Sequence, residues 1–398
     1  MRPGFTGAGR PVPLRAASRA LLALLVCACA QAPGFAGELL FDNLGEPARV
    51  VEEDGRQLLL HRGRQLPVRV ADRLLATTSP SISADDLRRM DRDILQAQQL
   101  AAQGGSHIWL LTVTEGRLAT VLAALQAQPG LRGVQPDLLQ VRELAGVGAV
   151  SAAAPAFPPA DSANAPAGAR VAIIDDGFDL AHPALAGARV LLEYDADLRT
   201  ADASPKLAAD GHGTRVAGVV LATATADRDA ATQPGLVAIR QASTWSSDLV
   251  LAFSVARMMR ADVVNASWVL AYLPQPLAEL VQDWRRGDHP PYLVVAAGND
   301  ARDACEANAL SAIEGVWLVG ALDAQGQPAA YSNHGQCLSL AAPALHASAR
   351  RGGGHAPFGG TSAAAAHVSG LLLRALGQGE RPDLDAMRRQ LAELEAPR

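Results

Sequence analysis

Residues 170–177 read RVAIIDDG, an apolar run that ends abruptly in two acids and a glycine. Similar short apolar runs occur at 262–266, 292–297 and 316–319, with helical stretches between them. Continuous apolar strands alternating with helices are typical of a parallel sheet covered on both faces. We therefore predict an α/β fold for residues 170–398. In such sheets the reactive groups gather at the carboxyl ends of the strands.

Four polar motifs accompany this pattern: two end apolar strand runs, and two stand at the start of helical stretches. Taken singly, each has an ordinary structural explanation, because Asp-Gly and Gly-Asn pairs form turns and a serine before a helix is an N-cap. In chain order, however, they supply Asp175, His212, Asn299 and Ser362. An acid, an imidazole, an amide and a hydroxyl are the groups required for acyl transfer by a serine nucleophile.

The stretches that carry these residues resemble the subtilisin-like serine proteases (subtilases, peptidase S8 type). They read VAIIDDGFDLAHPAL, DGHGTRVAGVV, VVAAGND and GGTSAAAAHVSG. The resemblance implies a serine endopeptidase with protein or peptide substrates, a triad of Asp175, His212 and Ser362, and Asn299 as oxyanion donor. The implied reaction requires no cofactor, and no residues are predicted as metal ligands. Calcium, which many subtilases carry, stays possible but has no assignable site.

The same resemblance suggests substrate-binding residues. Ser267, Trp268 and Val269 stand where the family lines its cleft, although apolar packing at a strand end is an equal alternative for Trp268 and Val269. Asp176 follows the triad acid, as in the kexin and furin branch, where this second acid faces the substrate. That position weakly predicts a preference for a basic residue next to the cleaved one.

The chain before residue 170 divides into several predicted parts. Residues 31–70 have no clear role beyond strands that turn near Asp54-Gly55 and Arg62-Gly63, and residues 71–142 predict a small α+β domain. In that domain we expect a helix over 85–103, a strand over 108–113, a helix over 117–128 and a last strand over 131–141. It resembles the inhibitory propeptides of subtilases, which implies that it assists folding, occupies the cleft and is removed by the protease itself.

An Ala- and Pro-rich linker, residues 143–169, separates the two predicted domains. At the other end, residues 1–30 have the features of a signal peptide, with four arginines before a short apolar run and a small-x-small site at Ala28-Cys29-Ala30. We therefore predict an exported protein, secreted or periplasmic. A lipid anchor on Cys29 is the lower-ranked alternative.

Cleavage after Ala30 would leave two cysteines, Cys305 and Cys337. In an oxidising compartment a disulfide between them is expected, and two buried thiols are the alternative.

Composition excludes several other classes of protein. The net charge of -5 gives no basic field for nucleic acid, and no apolar stretch in the mature chain is long enough for a transmembrane helix. The single lysine, Lys206, closes no phosphate-binding loop. The remaining alternative is a catalytically impaired subtilase-fold protein with a binding or chaperone-like role.

Overall fold

The computed structural model describes residues 37–103, 105–140, 168–185, 188–225 and 233–395. The predicted signal peptide, the lipidation of Cys29 and nearly all of the predicted linker lie outside these residues and stay predictions.

The N-terminal part is an antiparallel sheet with two helices. The sheet order is β1-β2-β3-β4-β6-β5, and β7 pairs with β4. The elements are β1 (Leu39–Asn43), β2 (Glu46–Glu53), β3 (Arg56–His61), β4 (Arg64–Thr78), α1 (Ala84–Met90), β5 (Ile94–Gln103), β6 (Ser106–Val113), α2 (Leu118–Gln126) and β7 (Leu131–Gln140).

Tight two-residue turns join the first four strands. Leu44-Gly45, Asp54-Gly55 and Arg62-Gly63 all have positive φ at both residues. Such turns match the twist of paired strands, and glycine reaches that conformation at no steric cost. The predicted turns near Asp54 and Arg62 are therefore confirmed.

Two predictions for this part differ from the structure. Strand β4 runs through the predicted boundary between residues 70 and 71, so residues 39–61 belong to the same sheet as the predicted α+β domain. The helix expected over 85–103 ends at Met90, and Ile94–Gln103 is a strand paired with β6. Leucine, alanine and glutamine favour helix locally, but sheet pairing overrides that weak preference.

Near the end of β4 and along β6, the N-terminal sheet is buried on both faces. Leu74, Trp109 and Leu111 point to a core that includes residues of α1 and α2. Leu75 and Leu110 point to the opposite side and pack in one cluster with the C-terminal part of the chain. Alternation along β4 and β6 produces these two faces. Both parts belong to a single unit that begins at Phe35.

The C-terminal part is a seven-stranded sheet in which all pairs are parallel, in the order β14-β13-β12-β11-β8-β10-β9. Its strands are β8 (Arg170–Asp175), β9 (Arg189–Asp195), β10 (Gly235–Arg240), β11 (Val263–Ala266), β12 (Tyr292–Ala296), β13 (Trp317–Leu322) and β14 (Leu340–Pro343). A separate hairpin, β15 (Leu345–Ala349) and β16 (His355–Gly359), precedes the last long helix.

Helices cover both faces of this sheet, as predicted. They are α3 (His212–Thr225), α4 (Ser246–Met258), α5 (Gln275–Arg285), the short α6 (Ala304–Ala307), α7 (Gly360–Gly377) and α8 (Leu384–Glu395). The core under α3 and α7 takes Val171 and Ile173 of β8, whereas the core under α4 and α5 takes Ala172 and Ile174. Among the described helices, none has the length and apolar character needed to cross a bilayer.

Candidate active site

Two of the predicted catalytic residues are joined directly. Asp175 is the last residue of β8 and is 3% exposed, and His212 is the first residue of α3. The His212 Nδ1 atom lies 2.8 Å from Asp175 Oδ1 and 3.0 Å from Asp175 Oδ2. Because a carboxylate only accepts, Nδ1 carries the proton in this bond and Nε2 keeps its lone pair. The imidazole is therefore held in the tautomer that suits a general base.

Ser362 lies in the first turn of α7, on the segment that follows β16. Its hydroxyl donates to the backbone carbonyl of Ser267 at 2.8 Å, and the Ser267 hydroxyl donates to the carbonyl of Ser362 at 3.1 Å. Phe358, four residues before Ser362, packs its ring edge-on against His212 with centroids 5.3 Å apart. The serine segment and the histidine thus meet at the carboxyl edge of the sheet.

Asn299 lies in the loop after β12 and faces the start of α7. Its Oδ1 accepts the Thr361 backbone N–H at 2.9 Å and the Thr361 hydroxyl at 3.1 Å. A backbone N–H can only donate, so this contact assigns the oxygen of the amide and leaves Nδ2 as the donor group. Gly360 has a φ of +82°, and a Cβ there would lie 3.1 Å from Asn299 Oδ1. Glycine therefore permits the close approach of Asn299.

Sequence reasoning missed the residue that holds the Asn299 loop. Asn333 is fully buried, and its Oδ1 accepts the N–H groups of Asp300 and Arg302 at 3.0 and 3.1 Å. Its Nδ2 donates to Ala297 O at 2.8 Å, and its own N–H donates to Gly298 O at 2.9 Å. In the sequence, this residue is a single asparagine within the stretch YSNHGQC, and no neighbouring residue indicates that it contacts the Asn299 loop.

The predicted disulfide is present between Cys305 and Cys337, with Cα atoms 5.3 Å apart. Cys305 lies in α6, directly after the Asn299 loop, and Asp303 forms a parallel bridge with His334. The disulfide therefore braces the same pair of segments that Asn333 joins by hydrogen bonds.

Replacing both cysteines with serine is expected to lower the free energy of unfolding by roughly 3 to 4 kcal/mol, because the unfolded chain regains the entropy of an open loop. Equilibrium denaturant titration measures this change. Treating the wild-type protein with a reductant should cause the same loss. Equal stability of all three samples would contradict the expectation.

The structure gives the side chains of the predicted substrate-binding residues 267–269 different surroundings. Ser267 is buried against Ser362, and Val269 packs beside Gly298, next to the Asn299 loop. Trp268 is 9% exposed, lies in the core and donates its indole N–H to Ile174 O at 2.7 Å. Of the two alternatives for Trp268, the inward packing of its side chain agrees with apolar packing at the strand end.

Asp176 also has partners other than the expected substrate. Its carboxylate accepts backbone N–H groups from the start of α3. The structure therefore gives this acid backbone partners at the start of α3, and the preference for a basic substrate residue stays a prediction.

Metal binding has no assigned site. Within the described ranges, no group of three or more His, Cys, Asp or Glu side chains is arranged to hold a metal ion. Calcium stays a prediction without ligands.

The curated proteins to which this chain is similar include serine proteinases and subtilisin-like proteases. A thermophilic serine proteinase of Bacillus sp. (strain AK1) is 32% identical over 228 residues, which is 55% of this chain and 55% of that protein. Subtilisin-like protease 7 of Trichophyton equinum is 33% identical over 234 residues, again 55% of each. The chain thus spans about half the length of the curated relatives that it matches.

Among solved structures, the chain is similar to a cold adapted subtilisin-like serine proteinase, with 24% identity and a TM-score of 0.46 over 57% of this chain and 81% of that one. The profile of the subtilase family, peptidase S8, matches residues 167–390, which is more than half of the 398 residues. The chain therefore belongs to the subtilase family.

Proposed function

We propose that this chain is an exported serine endopeptidase that hydrolyses peptide bonds through Ser362, His212 and Asp175, and that it is made as a self-processing precursor. The observation that carries the proposal is the 2.8 Å bond between His212 Nδ1 and the buried Asp175 carboxylate, at the sheet edge that also holds Ser362 and Asn299. Proteinases among the relatives support the same activity.

The proposed reaction begins with proton transfer from the Ser362 hydroxyl to His212 Nε2. The Ser362 oxygen attacks the peptide carbonyl, and Asp175 stabilises the imidazolium that forms. The Asn299 Nδ2 group and the Ser362 backbone N–H donate to the oxyanion of the tetrahedral intermediate. His212 then gives the proton to the leaving amine, and the C–N bond breaks. Water, deprotonated by His212, hydrolyses the acyl-enzyme and restores the hydroxyl.

A fluorophosphonate probe tests the activity directly, because its reaction needs an activated serine. The full-length chain is expected to be labelled and to cleave casein, whereas Ser362→Ala is expected to do neither. If the folded wild-type chain resists the probe and leaves casein intact, the hydrolytic proposal fails.

The second candidate function is a catalytically impaired subtilase-fold protein that binds or chaperones peptides. One observation favours it: the Ser362 hydroxyl donates to Ser267 O at 2.8 Å, which engages the proton that catalysis must transfer. In that case casein or a peptide library would bind to the chain without being cleaved, and the probe would leave Ser362 unmodified.

The proposed role of the N-terminal part within the precursor is supported by how the end of β7 contacts the C-terminal part. Leu139 forms an antiparallel bridge with Trp245, beside the start of α4. Asp137, fully buried, accepts the backbone N–H and the hydroxyl of Ser247 at 2.9 and 2.8 Å. Arg73 of β4 pairs with the same carboxylate at 2.8 Å. These contacts support a role of residues 39–140 as an intramolecular inhibitor and folding aid.

The first three strands extend this interface. Asn43 donates to Leu273 O at 3.2 Å and accepts from Gln275 N at 2.8 Å. His61 packs its ring edge-on against Tyr272. The segment whose role the sequence left open therefore contacts the chain that leads into α5, and we include it in the inhibitory domain.

Gln140→Ala is expected to weaken the hold of this domain. The Gln140 amide donates to Tyr272 O at 2.7 Å and accepts from Tyr272 N at 2.9 Å, so its loss leaves two buried backbone groups without partners. Each unpaired group costs roughly 1 to 3 kcal/mol. After self-cleavage the N-terminal fragment should separate from the protease earlier, which shortens the lag before full activity.

Gel filtration and the time course of peptide hydrolysis measure both effects. Gln126→Ala is the matched control, because Gln126 is exposed and donates to Leu40 O within the N-terminal part itself. An unchanged lag in Gln140→Ala would contradict the proposed inhibitory contact.

A further inference from the structure

Asp176 lies against the N-terminus of the helix that carries His212. Its Oδ2 accepts the backbone N–H groups of Gly211 and His212 at 3.0 and 3.1 Å, and its Oδ1 accepts that of Gly213 at 2.8 Å. The first N–H groups of a helix have no partner within the helix, and a carboxylate there makes charge-assisted bonds aligned with the helix dipole. The side chain therefore caps α3 from another segment of the chain.

The residue directly before α3 is Gly211, which has no side chain to cap the helix, and the acid before it, Asp210, has other partners. Asp210 directs Oδ2 to the backbone N–H groups of Lys206 and Leu207, both at 2.9 Å, and to Arg240 at 3.2 Å. The start of α3 thus depends on an acid that is 35 to 37 residues away in sequence.

Asp176 also contacts the acid of the triad. Its backbone N–H donates to Asp175 Oδ1 at 2.8 Å, the same oxygen that lies 2.8 Å from His212 Nδ1. Packing at this point is tight, since a Cβ on Gly213 would lie 2.6 Å from Gly177 O and 2.9 Å from Asp175 Cβ. One residue therefore fixes the Asp175 carboxylate through its backbone and the His212 backbone through its side chain.

This arrangement has an energetic cost. Burial, and after it the charge of Asp175, raises the pKa of Asp176. Two neighbouring carboxylates in a partly buried place destabilise the folded state, because their charges repel and are poorly solvated. Natural proteins tolerate such unfavourable arrangements mainly at functional sites.

We propose that Asp176 is a positioning residue of the active site, which sets the location of His212 relative to Asp175 by capping α3. The inference rests on the proposed serine peptidase activity. It replaces the expectation that this acid recognises a basic residue of the substrate, and the two roles predict different kinetics.

Asp176→Asn keeps the size of the side chain but places an NH2 group against backbone donors, and Asp176→Ala removes every acceptor. We expect kcat to fall by roughly 10- to 100-fold in both variants, because small displacements of a catalytic group have effects of this size. KM should stay nearly constant. The loss should be the same for peptides with a basic or a neutral residue next to the cleaved one.

Two further measurements separate positioning from general damage. The rate of fluorophosphonate labelling at Ser362 should fall in parallel with kcat, since it needs no peptide contacts. The acidic limb of the pH profile of kcat/KM should move to lower pH, because removing a negative charge near His212 disfavours its protonated form. Asp202→Asn, at an exposed acid in the nearby loop, is the charge-matched control and should leave both unchanged.

Thermal unfolding shows which variants are folded. If Asp176→Asn does not fold, Asp176→Ala takes its place in the kinetic comparison. A folded variant with wild-type kcat and labelling rate overturns the inference, as does a loss confined to KM for basic peptides. These outcomes all require an active wild-type enzyme. An inactive, unlabelled wild type would instead reject the proposed function itself.

Discussion

Asp175→Asn is expected to lower kcat by about 10⁴-fold while the protein stays folded. The Asp175 carboxylate accepts from His212 Nδ1 and holds the tautomer in which the Nε2 lone pair can accept a proton. An amide in its place can donate to Nδ1, which stabilises the opposite tautomer with the proton on Nε2. The imidazole then cannot act as a base toward Ser362.

Steady-state kinetics with a chromogenic peptide measure the loss, after the precursor has been cut at its linker by an added protease if self-processing stops. Asp179→Asn is the matched control, since Asp179 lies four residues further along the same loop and bonds to Gly352 N. Retention of more than about a tenth of the wild-type kcat would leave Asp175 without the role that a triad acid has.

Asn299→Leu and Asn299→Asp are expected to lower kcat by roughly 10²- to 10³-fold with little change in KM. Both variants lack the Nδ2 donor, so the oxyanion loses a hydrogen bond that forms only in the transition state. They differ in the other half of the amide. Aspartate keeps an oxygen for the Thr361 N–H, whereas leucine removes it.

Comparing the two variants therefore separates the effect of losing the Nδ2 donor on catalysis from the effect of losing the Thr361 contact on stability. The leucine variant should also unfold at lower temperature, because the Thr361 N–H loses its partner, and the aspartate variant should not lose this contact. Asp300→Asn, at the exposed neighbouring residue, should retain full activity. Full activity in Asn299→Asp would show that the side-chain amide donates nothing to the transition state.

The sequence predicted the C-terminal sheet well because its strands are short apolar runs that end in turn residues. The strand runs near residues 171, 262, 292 and 316 all appear as members of one parallel sheet. Each motif residue also lies at the end of a strand, in the loop that follows one or in the first turn of a helix, and these places can be predicted from local sequence. The contact between His212 and Asp175 follows from that placement.

Other features depend on contacts between distant segments of the chain, so local sequence could not predict them. The change from α1 to β5 arises from pairing with β6, and the continuity of β4 across residue 70 arises from its pairing with three strands. Asp176 illustrates the same limit within the site. Its residue type suggested substrate recognition, whereas its hydrogen bonds join it to a helix that begins 36 residues later.

The N-terminal sheet has a consequence for synthesis of the chain. Its first four strands are joined by two-residue turns, so we expect them to pair early, before the ribosome has made any parallel strand. The side that bears Leu75 and Leu110 then offers α4 and α5 an apolar template on which to dock. If the proposed self-cleavage removes this sheet, the remaining protein loses the template and is expected to refold slowly after unfolding. Its lifetime would then be set by the rate of unfolding rather than by equilibrium stability.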